Sequence, residues 1–291
     1  MARRAWLALA AAAAFILLAA LPAYIAFISL HPHRCPYHST PASRGLPYVN
    51  FTVETVDGIR IRGWIIEPNN TGPVFVVMHG YTMCKSAPEI LNVSAALARK
   101  GYVVVDFDFR GHGDSGGTMT TIGRLEVRDA RAVLRYVERL YPRRPIVLLG
   151  YSMGAVVAIV AGAHDPHVKA IVADSPYYRL GDVVPRWIGA KTPFPSWYGV
   201  LVRLWGELLA HGKVDPGFGP AAAGRVDKPL LVIYCTRDPL LRRSEAEKIA
   251  ELSPCGRLVT VPGAGHVGAV EKLGLDRYLD IVTSVLHMKC G

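Results

Sequence analysis

Hydrophobic positions fall into two regimes along this chain of 291 residues. Residues 6–30 are apolar without a single charge. Wound as a helix, such a run reaches about 37 Å, enough to cross a hydrocarbon layer of about 30 Å with some tilt. Past residue 47 the pattern shortens. Residues 48–56 and 59–67 read as two strands joined by Asp57-Gly58, a hairpin signal. Apolar runs of strand length then follow at 74–78, 102–107, 146–149, 168–173, 230–235 and 257–261. They alternate with helical spacing at 87–100, 124–140, 153–163, 244–252 and 267–287. Continuous apolar strands alternating with helices predict an α/β fold, a mostly parallel central sheet covered by helices.

One stretch departs from that rhythm. Residues 175–228 carry six prolines together with Trp187, Trp197 and Trp205, and they are too long for an ordinary connection. They are expected to form an inserted cap, with the tryptophans as a substrate-binding lining. The organisation read from the sequence is a membrane anchor at 1–30, a linker at 31–47 that lifts the domain off the membrane, and one domain at 48–291 with the cap at about 175–228.

Flanking charge orients the anchor. Arg3 and Arg4 precede it and only Arg34 follows closely, which puts the N-terminus inside and the domain on the extracytoplasmic side. A cleaved signal peptide, giving a secreted protein, is the alternative. Its apolar core normally runs about 7–15 residues, and Ala20-Leu21-Pro22-Ala23 is a poor cleavage site. The five cysteines show no CxxC spacing, so no zinc or thioredoxin-like site is supported. Cys235 lies in an apolar strand and reads as a small buried hydrophobe; an exported domain could pair Cys255 with Cys290. The net charge of +10 reads first as a solvated basic surface and second as attraction to anionic lipid headgroups. No basic-aromatic motif accompanies it, so nucleic acid is not expected as a partner.

Candidate chemistry sits at strand ends. Gly150-Tyr151-Ser152-Met153-Gly154 fits G-x-S-x-G, between a strand and an apolar helix, the setting in which a strained turn exposes a serine hydroxyl. A serine nucleophile needs a base, and the base needs an orienting carboxylate. His266 follows the last strand, and Asp238 follows the strand before it; Asp174 is the competing acid. An oxyanion hole needs N–H donors, and Met153 and Tyr81, in His79-Gly80-Tyr81-Thr82, are the candidates. His79 is read as a brace for that loop rather than as a second base.

These motifs occur together with Asp108-Phe109-Arg110-Gly111-His112-Gly113-Asp114-Ser115 and Asp174-Ser175-Pro176. In that order they resemble the α/β-hydrolase superfamily, specifically its lysophospholipase-like, acylglycerol-lipase-like and membrane-anchored esterase or thioesterase members. The resemblance covers about residues 48–288. It implies an α/β-hydrolase fold, a triad of Ser152, Asp238 and His266, oxyanion donors at Tyr81 and Met153, and a structural turn around His112.

The expected activity is hydrolysis of a carboxylic ester, including a lipid ester or thioester, through an acyl-enzyme, with no metal or organic cofactor. A serine peptidase of the same fold is the runner-up; it would use an acidic cap residue, Asp182, Glu207 or Asp215, to receive a peptide amine. A catalytically inactive binding protein is the third reading and would need a broken triad. Because no triad residue precedes residue 31, the domain is expected to hydrolyse short esters without its anchor.

Overall fold

The structure is a computed structural model, and it describes residues 2–36, 39–67, 69–212 and 219–290. The Asp57-Gly58 turn joins β1 (Tyr48–Glu54) to β2 (Arg60–Ile66) in antiparallel register. The short apolar runs become β3 (Val74–Met78), β4 (Val103–Phe107), β5 (Ile146–Tyr151), β6 (Val168–Asp174), β7 (Leu230–Cys235) and β8 (Gly256–Val261). They form one sheet in the order β1-β2-β4-β3-β5-β6-β7-β8. The β2–β4 pair is antiparallel and every pair from β4 to β8 is parallel. The carboxyl ends of β3, β5, β6, β7 and β8 therefore share one edge.

The helices are α1 (Ala2–Phe15), α2 (Leu21–Leu30), α3 (Pro88–Arg99), α4 (Glu126–Leu140), α5 (Met153–Gly162), α6 (Leu180–Lys191), α7 (Tyr198–Leu209), α8 (Pro220–Ala223), α9 (Arg243–Ala250), α10 (Ala269–Leu273) and α11 (Leu275–Ser284). Alternate strand residues serve the two faces of the sheet. Ile146 and Leu148 pack in the core that holds α4, α5 and α9, while Val147 and Leu149 pack in the one that holds α3 and α11. All four are fully buried, and such burial stabilises each by about 1.5–3 kcal/mol. The single helix expected at 267–287 is instead broken in two at Gly274, whose φ of +79° suits a residue without a Cβ.

Helices α6 and α7 are inserted between β6 and β7. Arg186 fastens α6 to the body, donating to Glu245 at 2.5 and 2.8 Å and to the Leu240 carbonyl at 2.7 Å. Of the cap residues named from the sequence, Asp215 lies outside the described residues.

The N-terminal helix runs on through one wide π turn, Ile16–Ala20. Residues Arg3–Leu30 are long and apolar enough to cross a membrane, and an 18-residue window within them has a mean hydropathy of 2.3. In the π turn the N–H of Leu21 donates to Ile16, five residues back. By the same count Pro22 would serve Leu17, but a proline has no N–H to give. The phenol of Tyr198 in α7 donates to that carbonyl at 2.5 Å instead. Ala26, Ile188, Tyr198 and Val202 are buried together, with Trp205 packed against them.

Helix α2 packs on α7 of the cap, and the described residues of the 31–47 segment make specific contacts with the domain. Arg34 donates to the carbonyls of His112, Gly113, Ser115 and Gly117 at 2.6–3.3 Å, tying the segment to that glycine-rich turn. Cys35 is disulfide-bonded to Cys84, and Cys255 to Cys290. The first pairing carries no spacing signal in the sequence; the second is the one the sequence suggested. Cys235 is free and buried, and burial pushes its thiol up to about 12.

Candidate active site

Ser152 stands one residue beyond β5 with φ +51°, a left-handed conformation that costs a non-glycine residue about 1–3 kcal/mol. The turn is held because its flanks are glycines. A Cβ on Gly150 would overlap the Gly154 carbonyl, and one on Gly154 would overlap the Met78 carbonyl. The Ser152 N–H donates to the Asp174 carbonyl at 2.8 Å, tying the turn to β6.

His266 and Asp238 reach the same point from the loops after β8 and β7. Those loops are stitched together, with Thr236 N–H donating to Val261 O at 3.1 Å and Arg237 N–H to Ala264 O at 2.9 Å. His266 Nε2 lies 2.8 Å from Ser152 Oγ, and His266 Nδ1 lies 2.6 Å from Asp238 Oδ2. A carboxylate only accepts, so Nδ1 carries the proton and Nε2 is left to receive one. Asp238 Oδ1 takes the Leu240 N–H at 2.8 Å, which fixes the carboxylate plane.

Asp174, the competing acid, points elsewhere. Its carboxylate accepts from Ser175 Oγ and Tyr278 Oη, both at 2.9 Å, and burial raises its pKa to about 6. Ser175 Oγ in turn receives the Val267 N–H at 3.2 Å. Asp174 thus braces the loop beside His266 through Ser175 and holds Ser152 through its own backbone.

The loop after β3 passes directly over the serine; a Cβ on Gly80 would sit 3.6 Å from Ser152 Cβ. This sets the backbone around Tyr81 beside Met153, whose N–H heads α5 and has no intrahelical acceptor. Two buried imidazoles hold the loop. His79 Nδ1 donates to Gly80 O at 2.7 Å while its Nε2 accepts from Phe109 N–H at 3.1 Å, and burial followed by neighbouring His112 lowers its pKa to about 3. His112, also lowered by burial, donates from Nδ1 to Arg110 O at 2.8 Å and accepts the Thr82 N–H at 3.3 Å. Further along, the buried Lys85 ammonium pairs with Asp108 and, at 2.9 Å, with Asp114.

Ser152 and His266 open into a cavity of about 540 Å³, within the range of about 300–1,000 Å³ usual for small-molecule sites. Trp187 lines it, but Trp197 and Trp205 do not. Trp197 points to the outside, 59% exposed, and Trp205 packs against the N-terminal helix cluster. Three basic side chains, Arg124, Lys191 and Arg203, lie on the wall, and none of the described lining residues is acidic. Sequence reading missed Ala26, Ser29 and Leu30, which also line the cavity.

An eight-stranded, mostly parallel sheet with such an edge defines a serine hydrolase of the α/β-hydrolase class. The family described as serine aminopeptidase, S33, matches residues 70–219, and the chain belongs to that family. A solved Pyrococcus furiosus esterase is similar at 28% identity, with a TM-score of 0.76, covering 90% of this chain and 99% of that one. The monoacylglycerol lipase of Mycolicibacterium smegmatis is 32% identical over 220 residues, 64% of this chain and 78% of that protein. An uncharacterized membrane protein of Saccharomyces cerevisiae is 26% identical over 259 residues, 86% of this chain and 83% of that protein.

Proposed function

We propose that this serine hydrolase is a membrane-anchored lipid esterase whose triad is Ser152, His266 and Asp238. The observation that carries the reading is the pair of contacts, 2.8 Å and 2.6 Å, linking the three side chains at the mouth of an apolar cavity. His266 Nε2 takes the Ser152 proton as Oγ attacks the ester carbonyl, and Asp238 steadies the imidazolium. The carbonyl oxygen becomes an oxyanion facing the N–H groups of Tyr81 and Met153. His266 then passes the proton to the departing alcohol. Water, deprotonated by His266, attacks the acyl-enzyme and releases the acid.

Support for an ester comes from the cavity and from the relatives named esterase and monoacylglycerol lipase. The family's description favours a second reading, an aminopeptidase. A free α-amine needs an acidic partner, yet Asp182 and Glu207 are absent from the described lining, which carries Arg124, Lys191 and Arg203. That balance favours a neutral or anionic ester, with a thioester next. For the anchor, support lies in the 28-residue helical span Arg3–Leu30, which opens on Arg3 and Arg4 and is otherwise uncharged, and in a relative described as a membrane protein. Two disulfides suit an extracytoplasmic domain.

Purified full-length protein should react with a fluorophosphonate at Ser152 and hydrolyse ester substrates faster than aminoacyl anilides. Ser152→Ala should abolish both labelling and turnover while the circular dichroism and melting curve stay unchanged. Undiminished hydrolysis by folded Ser152→Ala protein would overturn the assignment.

A further inference from the structure

We infer that α2 of the N-terminal helix forms part of the substrate-binding site, the wall along which the acyl chain of a lipid ester lies. The inference rests on the triad reading above and extends it to a segment that an anchor alone would leave outside the site.

The helix presents two different faces over its last turns. Pro22, Ala26 and Leu30, at i, i+4 and i+8, are buried against the domain, whereas Tyr24, Phe27 and Ile28 are exposed. From the inward face, Ala26, Ser29 and Leu30 border the cavity that holds Ser152 and His266, facing Trp187, Ile188 and Val202 of the cap. Ala26 and Ser29 are short, and Leu30, Trp187, Ile188 and Val202 around them are apolar, which leaves a slot suited to a flexible apolar chain.

A membrane tether needs only length and hydropathy; it has no use for fixed hydrogen bonds to the cap and the loops around the site. This one has three. Its Leu17 carbonyl accepts from Tyr198, its Ser29 carbonyl accepts from Tyr81 at 2.8 Å, and its Leu30 carbonyl accepts the Thr120 N–H at 2.8 Å. Five residues beyond Leu30, the Cys35–Cys84 disulfide ties the exit of the helix to the loop that carries Tyr81. The helix is thus registered against the site covalently and by hydrogen bonds, so a pocket wall made from it has a fixed shape.

The test uses full-length protein in detergent micelles and an alkyl fluorophosphonate of about 12 carbons ending in a diazirine. Ser152 Oγ displaces fluoride, fixing the chain in the pocket, and irradiation then marks what the chain touches. Crosslinks within the peptide spanning residues 21–30 are expected. In parallel, Ser29→Phe should lower the ratio of kcat/KM for dodecanoyl over butanoyl esters by about tenfold, while Ile28→Phe, on the exposed face, should leave both values unchanged. Labelling at Ser152 with crosslinks confined to other segments, or an unchanged ratio in Ser29→Phe, would overturn this inference alone. Absence of any Ser152 adduct would overturn the triad reading and this one with it.

Discussion

The phenolic hydroxyl of Tyr81 donates to the Ser29 carbonyl at 2.8 Å, so a residue of the proposed oxyanion loop hangs from the N-terminal helix. Burial pushes the phenol up to about 12, which keeps it a donor throughout the neutral range. Tyr81→Phe retains the backbone N–H and removes only this tether. A buried hydrogen bond of this kind contributes about 1 kcal/mol. The variant should melt a few degrees lower, and kcat should fall by about three- to tenfold with little change in KM. A kcat equal to wild type would mean that the loop is held by His79, His112 and Lys85 alone.

Asp238 touches His266 and Asp174 does not, which separates the two carboxylates experimentally. Asp238→Asn should cut kcat by about 10⁴-fold, the loss expected when the base is held in the wrong tautomer. Asp174→Asn keeps an acceptor for Ser175 and should cost much less. Steady-state kinetics on both folded variants decides the matter, and the reverse ranking would move the acid to Asp174.

Trp187 borders the cavity, whereas Trp197 lies outside it. Trp187→Ala should reduce kcat/KM for long-chain esters by about tenfold more than for short ones, because only a long chain buries surface against the indole. Trp197→Ala should leave the chain-length profile as it was. Matching losses for both variants at every chain length would discard the acyl-pocket reading of the cap.

Asp106 offers a test of burial without touching the site. Ser94 donates to one of its oxygens at 2.8 Å, and among the described residues the other oxygen has no partner. Burial raises its pKa to about 8, far above a reference near 3.9. Between these values the folded state keeps a proton that the unfolded state has lost, so stability falls as pH rises through this window. The slope is at most about 1.4 kcal/mol per pH unit. Asp106→Asn removes the titration. Urea melts at pH 5 and pH 8 should show wild type losing more stability than the variant over that interval, and parallel losses would contradict the assignment.

Much of the molecule was readable in residue order. The alternation of short apolar runs with helical spacing reports a covered parallel sheet because strands buried on both faces admit few polar positions. Ser152, Asp238 and His266 were readable because each follows a strand, and parallel strands deliver their carboxyl ends to one edge. The roles of His79 and His112 are half legible: the sequence places both in structural turns, but not that His112 accepts the Thr82 N–H of the loop after β3.

The N-terminal helix was read as an anchor alone, and the reason is physical. Periodicity reveals which way a helix faces only when polar and apolar residues segregate on it, and residues 6–30 carry no charge on any side. Nothing in such a run distinguishes Ala26, which borders the cavity, from Phe27, which is exposed. Sequence likewise does not separate Trp187, which borders the cavity, from Trp197 and Trp205, since α7 is apolar on the face it packs and on the face it exposes. Direction came from contacts distant in the chain: a tyrosine in α7 that takes the Leu17 carbonyl, and a disulfide from Cys35 to Cys84. Such contacts exist only once the sheet has brought residues from opposite ends of the chain to one edge.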